Sequence, residues 1–201
     1  MSKKHLNYFS AKEQGFAKWF ESWRTKIFLP ISRLLNFFGI TANMVSYFGF
    51  LILIGFIYFV PKDPVAAIYF LLAHVLIDAF DGPLSRLRKE DSDGGAFTDI
   101  MCYHTGMVIV VATLAYFSLV DPIISIAYVY LYTVMIIFVI VLNRVKVTLR
   151  LVFRTKYYVY ILYAVWAIWG INYLDEGLLI FIVLMLPSVV GGFISLRKYL
   201  S

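Results

Sequence analysis

Apolar positions follow two different rhythms along this chain. In residues 11–29 they form a helical stripe. Phe16, Trp19, Phe20, Trp23 and Ile27 fall at i, i+3, i+4, i+7 and i+11, with Lys12, Lys18, Arg24 and Lys26 around them. A helix with aromatic residues on one side and cations on the others is expected to lie in the plane of a membrane interface. Pro30 is expected to end or kink it. Beyond that point the apolar residues become continuous. Six runs stand near 41–60, 64–84, 99–120, 122–142, 157–173 and 177–196. Each is close to the ~20 residues that cross ~30 Å of hydrocarbon. Short polar breaks with turn chemistry separate several of them, at Pro61-Lys62-Asp63-Pro64, Asp121-Pro122 and Asp175-Glu176-Gly177. The pattern predicts an all-α polytopic membrane protein of six transmembrane helices preceded by an amphipathic interfacial helix. Residues 1–40 read as a cytoplasmic and interfacial segment, and 41–201 as one membrane domain.

Composition agrees. Hydrophobic residues make up 62% of the 201, and the mean hydropathy is +0.82, which excludes an ordinary soluble domain. The one cysteine, Cys102, excludes an internal disulfide and reads as a packing residue. Met1 to Asn7 is polar and a span-length apolar run starts only near Met44, so no cleavable signal peptide is expected. The net charge of +6 suits anionic lipid head groups. Nucleic acid is not an expected partner, because no basic groove interleaved with aromatic residues is visible.

Charge also sets an orientation. If the N-terminus is inside, 17 of the 18 Lys and Arg residues fall on the inner side and Lys62 alone on the outer. That bias predicts both termini in the cytoplasm.

The acidic residues are concentrated. Half of the twelve lie between Asp78 and Asp99. Asp78 and Asp81 are spaced i, i+3 and share one helical face. Asp99 follows a glycine-containing turn at the start of the next apolar run. Two helices meeting at this turn would bring three carboxylates together. Unpaired carboxylates in a bilayer cost ~3 kcal/mol each, so a bound cation is expected. Oxygen ligands of this kind select Mg²⁺, Mn²⁺ or Ca²⁺ over zinc. Asp78 is 14 residues past Pro64, ~21 Å along a helix. That puts the site inside the membrane, within ~10 Å of the cytoplasmic boundary.

The stretch Asp78-Ala-Phe-Asp81-Gly82-Pro-Leu-Ser85-Arg86, followed after eight residues by Gly95-Ala-Phe-Thr-Asp99-Ile-Met-Cys-Tyr103, resembles the signature of the CDP-alcohol phosphotransferases. That signature reads Asp-x2-Asp-Gly-x2-Ala-Arg-x8-Gly-x3-Asp-x3-Asp. Asp78, Asp81, Gly82, Arg86, Gly95 and Asp99 match in type and spacing. Ser85 replaces the usual Ala, and Tyr103 replaces the final Asp, which in the family is the proposed general base. The resemblance implies transfer of a phosphatidyl or phosphoalcohol group from a CDP-linked donor to an alcohol, with release of CMP, in phospholipid biosynthesis. It also implies Mg²⁺ or Mn²⁺ at Asp78, Asp81 and Asp99, and a homodimer. Two other readings stand beside it: a relative that binds cation and CDP-lipid without turnover, and a membrane cation transporter.

Further residues follow from the resemblance, each with a plainer alternative. Gly82 and Gly95 would let a nucleotide approach the backbone, although Gly82 also suits helix packing. Arg86 would contact the diphosphate, or serve as an interfacial cation. Asn43, in Thr41-Ala42-Asn43-Met-Val-Ser46, would lie near the nucleotide or belong to a polar helix start. Arg144, Lys146, Arg150 and Arg154 would bind a phosphorylated acceptor, or set topology and meet lipid head groups. His74, one turn before Asp78, reads as hydrogen-bonded within the bundle. A phenol with pKa ~10 is a poor base, so His104 is the possible substitute for Tyr103. It is rotated ~100° from Tyr103 around a helix.

Overall fold

The computed structural model describes residues 14–89, 92–145, 147, 152–153 and 155–201, with side chains from Trp23 onward. Every regular element among them is helical: α1 (Gln14–Phe37), α2 (Ala42–Phe59), α3 (Pro64–Arg88), α4 (Asp93–Tyr116), α5 (Pro122–Arg144), α6 (Lys156–Trp169) and α7 (Leu174–Leu200). Five of them, α2, α3, α4, α5 and α7, are long and apolar enough to cross a membrane.

Local chemistry sets the starts. Thr41 Oγ1 accepts the Met44 N–H at 3.3 Å and caps α2. Asp63 caps α3 through the Ala66 N–H at 2.9 Å, with Pro64 in the first turn, where its missing N–H costs nothing. Asp121 does the same for α5, ahead of Pro122. Ser92 Oγ takes the Gly95 N–H at 3.0 Å and starts α4 six residues ahead of Asp99. The third apolar run was expected to begin at Asp99. Instead Asp99 lies nearly two turns inside a helix, because a serine cap outranks the two glycines that follow it.

Two further expectations change. Of the two outcomes expected at Pro30, an end or a kink, the end does not occur: the first helix runs on to Phe37. A mid-helix proline removes one hydrogen bond, and the contacts of α1 with α3 span the position: Phe28 packs edge-on against Phe80, with ring centres 4.8 Å apart, and Asn36 accepts from Arg88. The run near 157–173 yields a helix of 14 residues, ended at Gly170 with φ 71°. It is ~21 Å long, too short to cross ~30 Å of hydrocarbon by itself. Its far end still reaches the level of the α4–α5 turn. Asn172 donates to the Leu119 carbonyl at 2.9 Å, and Asp175 accepts the Asp121 N–H at 2.8 Å. Its near end starts inside the bundle, beside Asp78.

The core is shared by all the helices from α2 to α7. Phe56, Leu71, Met107, Leu114, Tyr128 and Tyr163 are almost wholly buried there. Exposed Trp23, Ile27, Ile31 and Leu34 give α1 an apolar stripe at helical spacing.

Candidate active site

Helices α3 and α4 meet at one end of the bundle and carry the acidic residues. Asp81 is buried, 7% exposed. Its Oδ2 accepts from Ser46 Oγ of α2 at 3.2 Å, and its Oδ1 from the Gly82 N–H at 2.6 Å. Asp99, Asp78 and Arg24 all act on it electrostatically. The three motif carboxylates therefore share one neighbourhood, as their spacing suggested.

Asp78 has a partner that sequence reasoning missed. Its carboxylate forms an ion pair with Lys156, the first residue of α6, whose side chain is completely buried. His74 lies beside the pair, with Nε2 3.8 Å from Asp78 Oδ2. The His74 ring occupies a slot between two glycines. Nδ1 donates to the Gly49 carbonyl at 3.2 Å, and a Cβ on Gly106 would come within 3.0 Å of Nε2. The imidazole is thus a hydrogen-bonded member of the bundle, as its lone position in an apolar run implied.

Tyr103, one turn after Asp99, faces the same neighbourhood. Its ring centre is 4.2 Å from Lys156 Nζ. His104 does not. Its Nε2 meets Thr133 Oγ1 of α5 at 2.9 Å, and its ring stacks on Tyr132. The ~100° step between consecutive helical residues turns it away from the acids, so this geometry does not offer it as a substitute base.

The residues expected at a nucleotide are divided. Arg86 donates to Thr25 Oγ1 of α1 at 2.7 Å. The space over Gly82 holds the Arg24 guanidinium, and a Cβ there would fall 2.3 Å from Arg24 Nη2. Gly82 thus does allow close approach to the backbone, by an arginine of α1. Gly95 sits in the capped first turn of α4, and Asn43 is exposed in the first turn of α2. Arg144 forms an exposed ion pair with Asp93 at 2.8 Å, joining the end of α5 to the start of α4. Lys146, Arg150 and Arg154 lie outside the described residues.

The CDP-alcohol phosphatidyltransferase family model matches residues 39–194, more than three quarters of the chain. The chain belongs to this family. No curated protein sequence matches it. The region matched to the CDP-alcohol phosphatidyltransferase family includes the α3–α4 junction with its acidic residues and leaves α1 outside.

Members of this family generally depend on a divalent metal. The motif carboxylates have the right chemistry for Mg²⁺ or Mn²⁺, but their arrangement does not fit the ion. Among the described residues no three His, Cys, Asp or Glu side chains group closely enough to hold one. Asp78 is turned to Lys156, and Asp81 is held by Ser46 and its own turn.

Proposed function

We propose that this family member transfers a phosphatidyl or phosphoalcohol group from a CDP-linked donor to an alcohol and releases CMP. The observation that carries the reading is the buried Asp81 carboxylate, on which Asp78 and Asp99 both act electrostatically, within the matched region. The acceptor hydroxyl attacks the phosphorus bonded to CMP, the phosphorus–oxygen bond to CMP breaks, and the hydroxyl proton must leave. Arg24 over Gly82 and Arg86 beside it are two cations suited to the diphosphate. Asn43 and Gly95 complete the nucleotide side of the reading. Arg144, with Lys146, Arg150 and Arg154, is the side for a phosphorylated acceptor, and Asp93 would have to release Arg144 first.

The reading includes a topology. If α6 is counted as a short sixth crossing, both termini and the motif share one side. The Lys and Arg bias makes that side the cytoplasm. The exposed stripe on α1 suits the lipid interface. A homodimer is part of the family-based reading.

A second reading has its own support. Position 103 offers a phenol where the family signature has its base, and a well-placed base contributes ~10²–10⁴-fold. The chain would then bind CDP-lipid without turning it over. Purified protein in liposomes, given radiolabelled CDP-diacylglycerol or a CDP-headgroup and a panel of alcohols, separates the two. CMP together with a new lipid supports transfer. Bound CDP-lipid with no CMP from any acceptor supports the second reading.

A further inference from the structure

One arrangement accounts for both the departure at position 103 and the burial of Lys156. Lys156 opens α6, where the helix dipole favours negative charge and opposes a cation. Its side chain is also shut off from solvent. A lysine there persists only with compensating charge, and Asp78 supplies it. The ammonium also faces aromatic rings: the centre of Tyr103 lies at 4.2 Å and that of Tyr160 at 5.9 Å. Both are within reach of a cation–π contact. An aspartate at 103 would bring a second carboxylate to an ammonium already paired. A tyrosine brings a ring face that attracts a cation without adding formal charge. Arg24, from α1, lies against Gly82 and acts on Asp81. Asp78 is matched directly by a cation, and that cation is Lys156.

We propose that Lys156 is a built-in cation. Its ammonium, seated between Asp78 and Tyr103, takes the place of a divalent metal at the motif carboxylates, and the site takes up Mg²⁺ or Mn²⁺ only when Lys156 is removed. This rests on reading Asp78, Asp81 and Asp99 as the family's metal ligands. It does not rest on turnover.

Manganese bound by the purified full-length protein in detergent, followed by loss of the free-ion paramagnetic resonance signal, tests it. The parent is expected to bind no stoichiometric Mn²⁺, and its melting temperature is expected to stay unchanged in millimolar Mg²⁺. Lys156→Gln is expected to gain one Mn²⁺ per chain and to melt at a higher temperature with Mg²⁺. Adding Asp99→Asn should abolish both effects. Lys156→Arg keeps the positive charge and should bind none. A stoichiometric Mn²⁺ in the parent that Asp78→Asn removes overturns the proposal. So does a Lys156→Gln protein that folds and binds no Mn²⁺. If Lys156→Gln folds only when Mg²⁺ is present, the metal has replaced the ammonium and the proposal stands. If it folds under neither condition, the parent titration decides: bound Mn²⁺ overturns the proposal and its absence upholds it. CMP release enters none of these outcomes, so a failure of the transfer reading and a failure of the cation reading are told apart.

Discussion

Lys156 Nζ lies 4.2 Å from the centre of the Tyr103 ring. They come from different helices, α4 and α6, yet they meet beside Asp78. Changing them together should therefore differ from changing them singly. In Tyr103→Asp the new carboxylate meets the Lys156 ammonium, and CMP release should stay within a few-fold of the parent. In Tyr103→Asp with Lys156→Gln, four carboxylates are free of that cation. Mg²⁺-dependent CMP release should then rise at least ~10²-fold above either single variant, the lower end of a base contribution. Tyr103→Asp reaching that level alone would mean that Lys156 does not restrain the site.

Ser46 ties α2 to the acidic site through the buried Asp81 carboxylate. Ser46→Ala leaves that oxygen without its hydroxyl donor. The expected loss is ~1–3 kcal/mol, read as a lower melting temperature in detergent. A variant as stable as the parent would show that water replaces the hydroxyl there.

Gly55 is a packing position. A Cβ there would lie 2.2 Å from Cε1 of Phe70, whose ring stacks on Phe59 with centres 5.1 Å apart. The stacked Phe59 ring limits how far Phe70 can give way. Gly55→Ala should destabilise the bundle by ~1–3 kcal/mol, as overpacking does, with little change in the affinity of the folded fraction for CDP-lipid.

The sequence exposed most of the scaffold and part of the site. The starts of α2, α3 and α5 were readable because Thr41, Asp63-Pro64 and Asp121-Pro122 are strong local signals. The i, i+3 spacing put Asp78 and Asp81 on one face, and the expectation that two helices meet at the turn brought in Asp99, which acts on Asp81. Lys156 was hidden for a physical reason. In sequence it is one of five cations from Arg144 to Lys156, indistinguishable from charges that set topology. Its role depends on α6 starting inside the bundle, a tertiary fact. Arg24 and Thr25 were hidden likewise, since their partners Gly82 and Arg86 stand about sixty residues away on another helix. The reach of α1 past Pro30 was hidden because a proline's local rule can be overridden by packing on a neighbour.

Topology can be checked on residues at opposite ends of α3. Lys89→Cys should resist an impermeant thiol reagent in intact cells, and Lys62→Cys should react. Both positions are exposed in the structure, so burial does not confuse the result. Labelling at 89 with none at 62 would invert the orientation.

The family match begins at residue 39, but the contacts of the motif do not. Gly82 lies under Arg24, Arg86 is held by Thr25, and Phe80 packs on Phe28, all from α1. The evolutionary unit and the mechanical unit therefore have different edges. The matched helices are completed at the acidic end by a helix that the family match does not reach. A change in α1 therefore alters the surroundings of Gly82 and Arg86 without touching either residue.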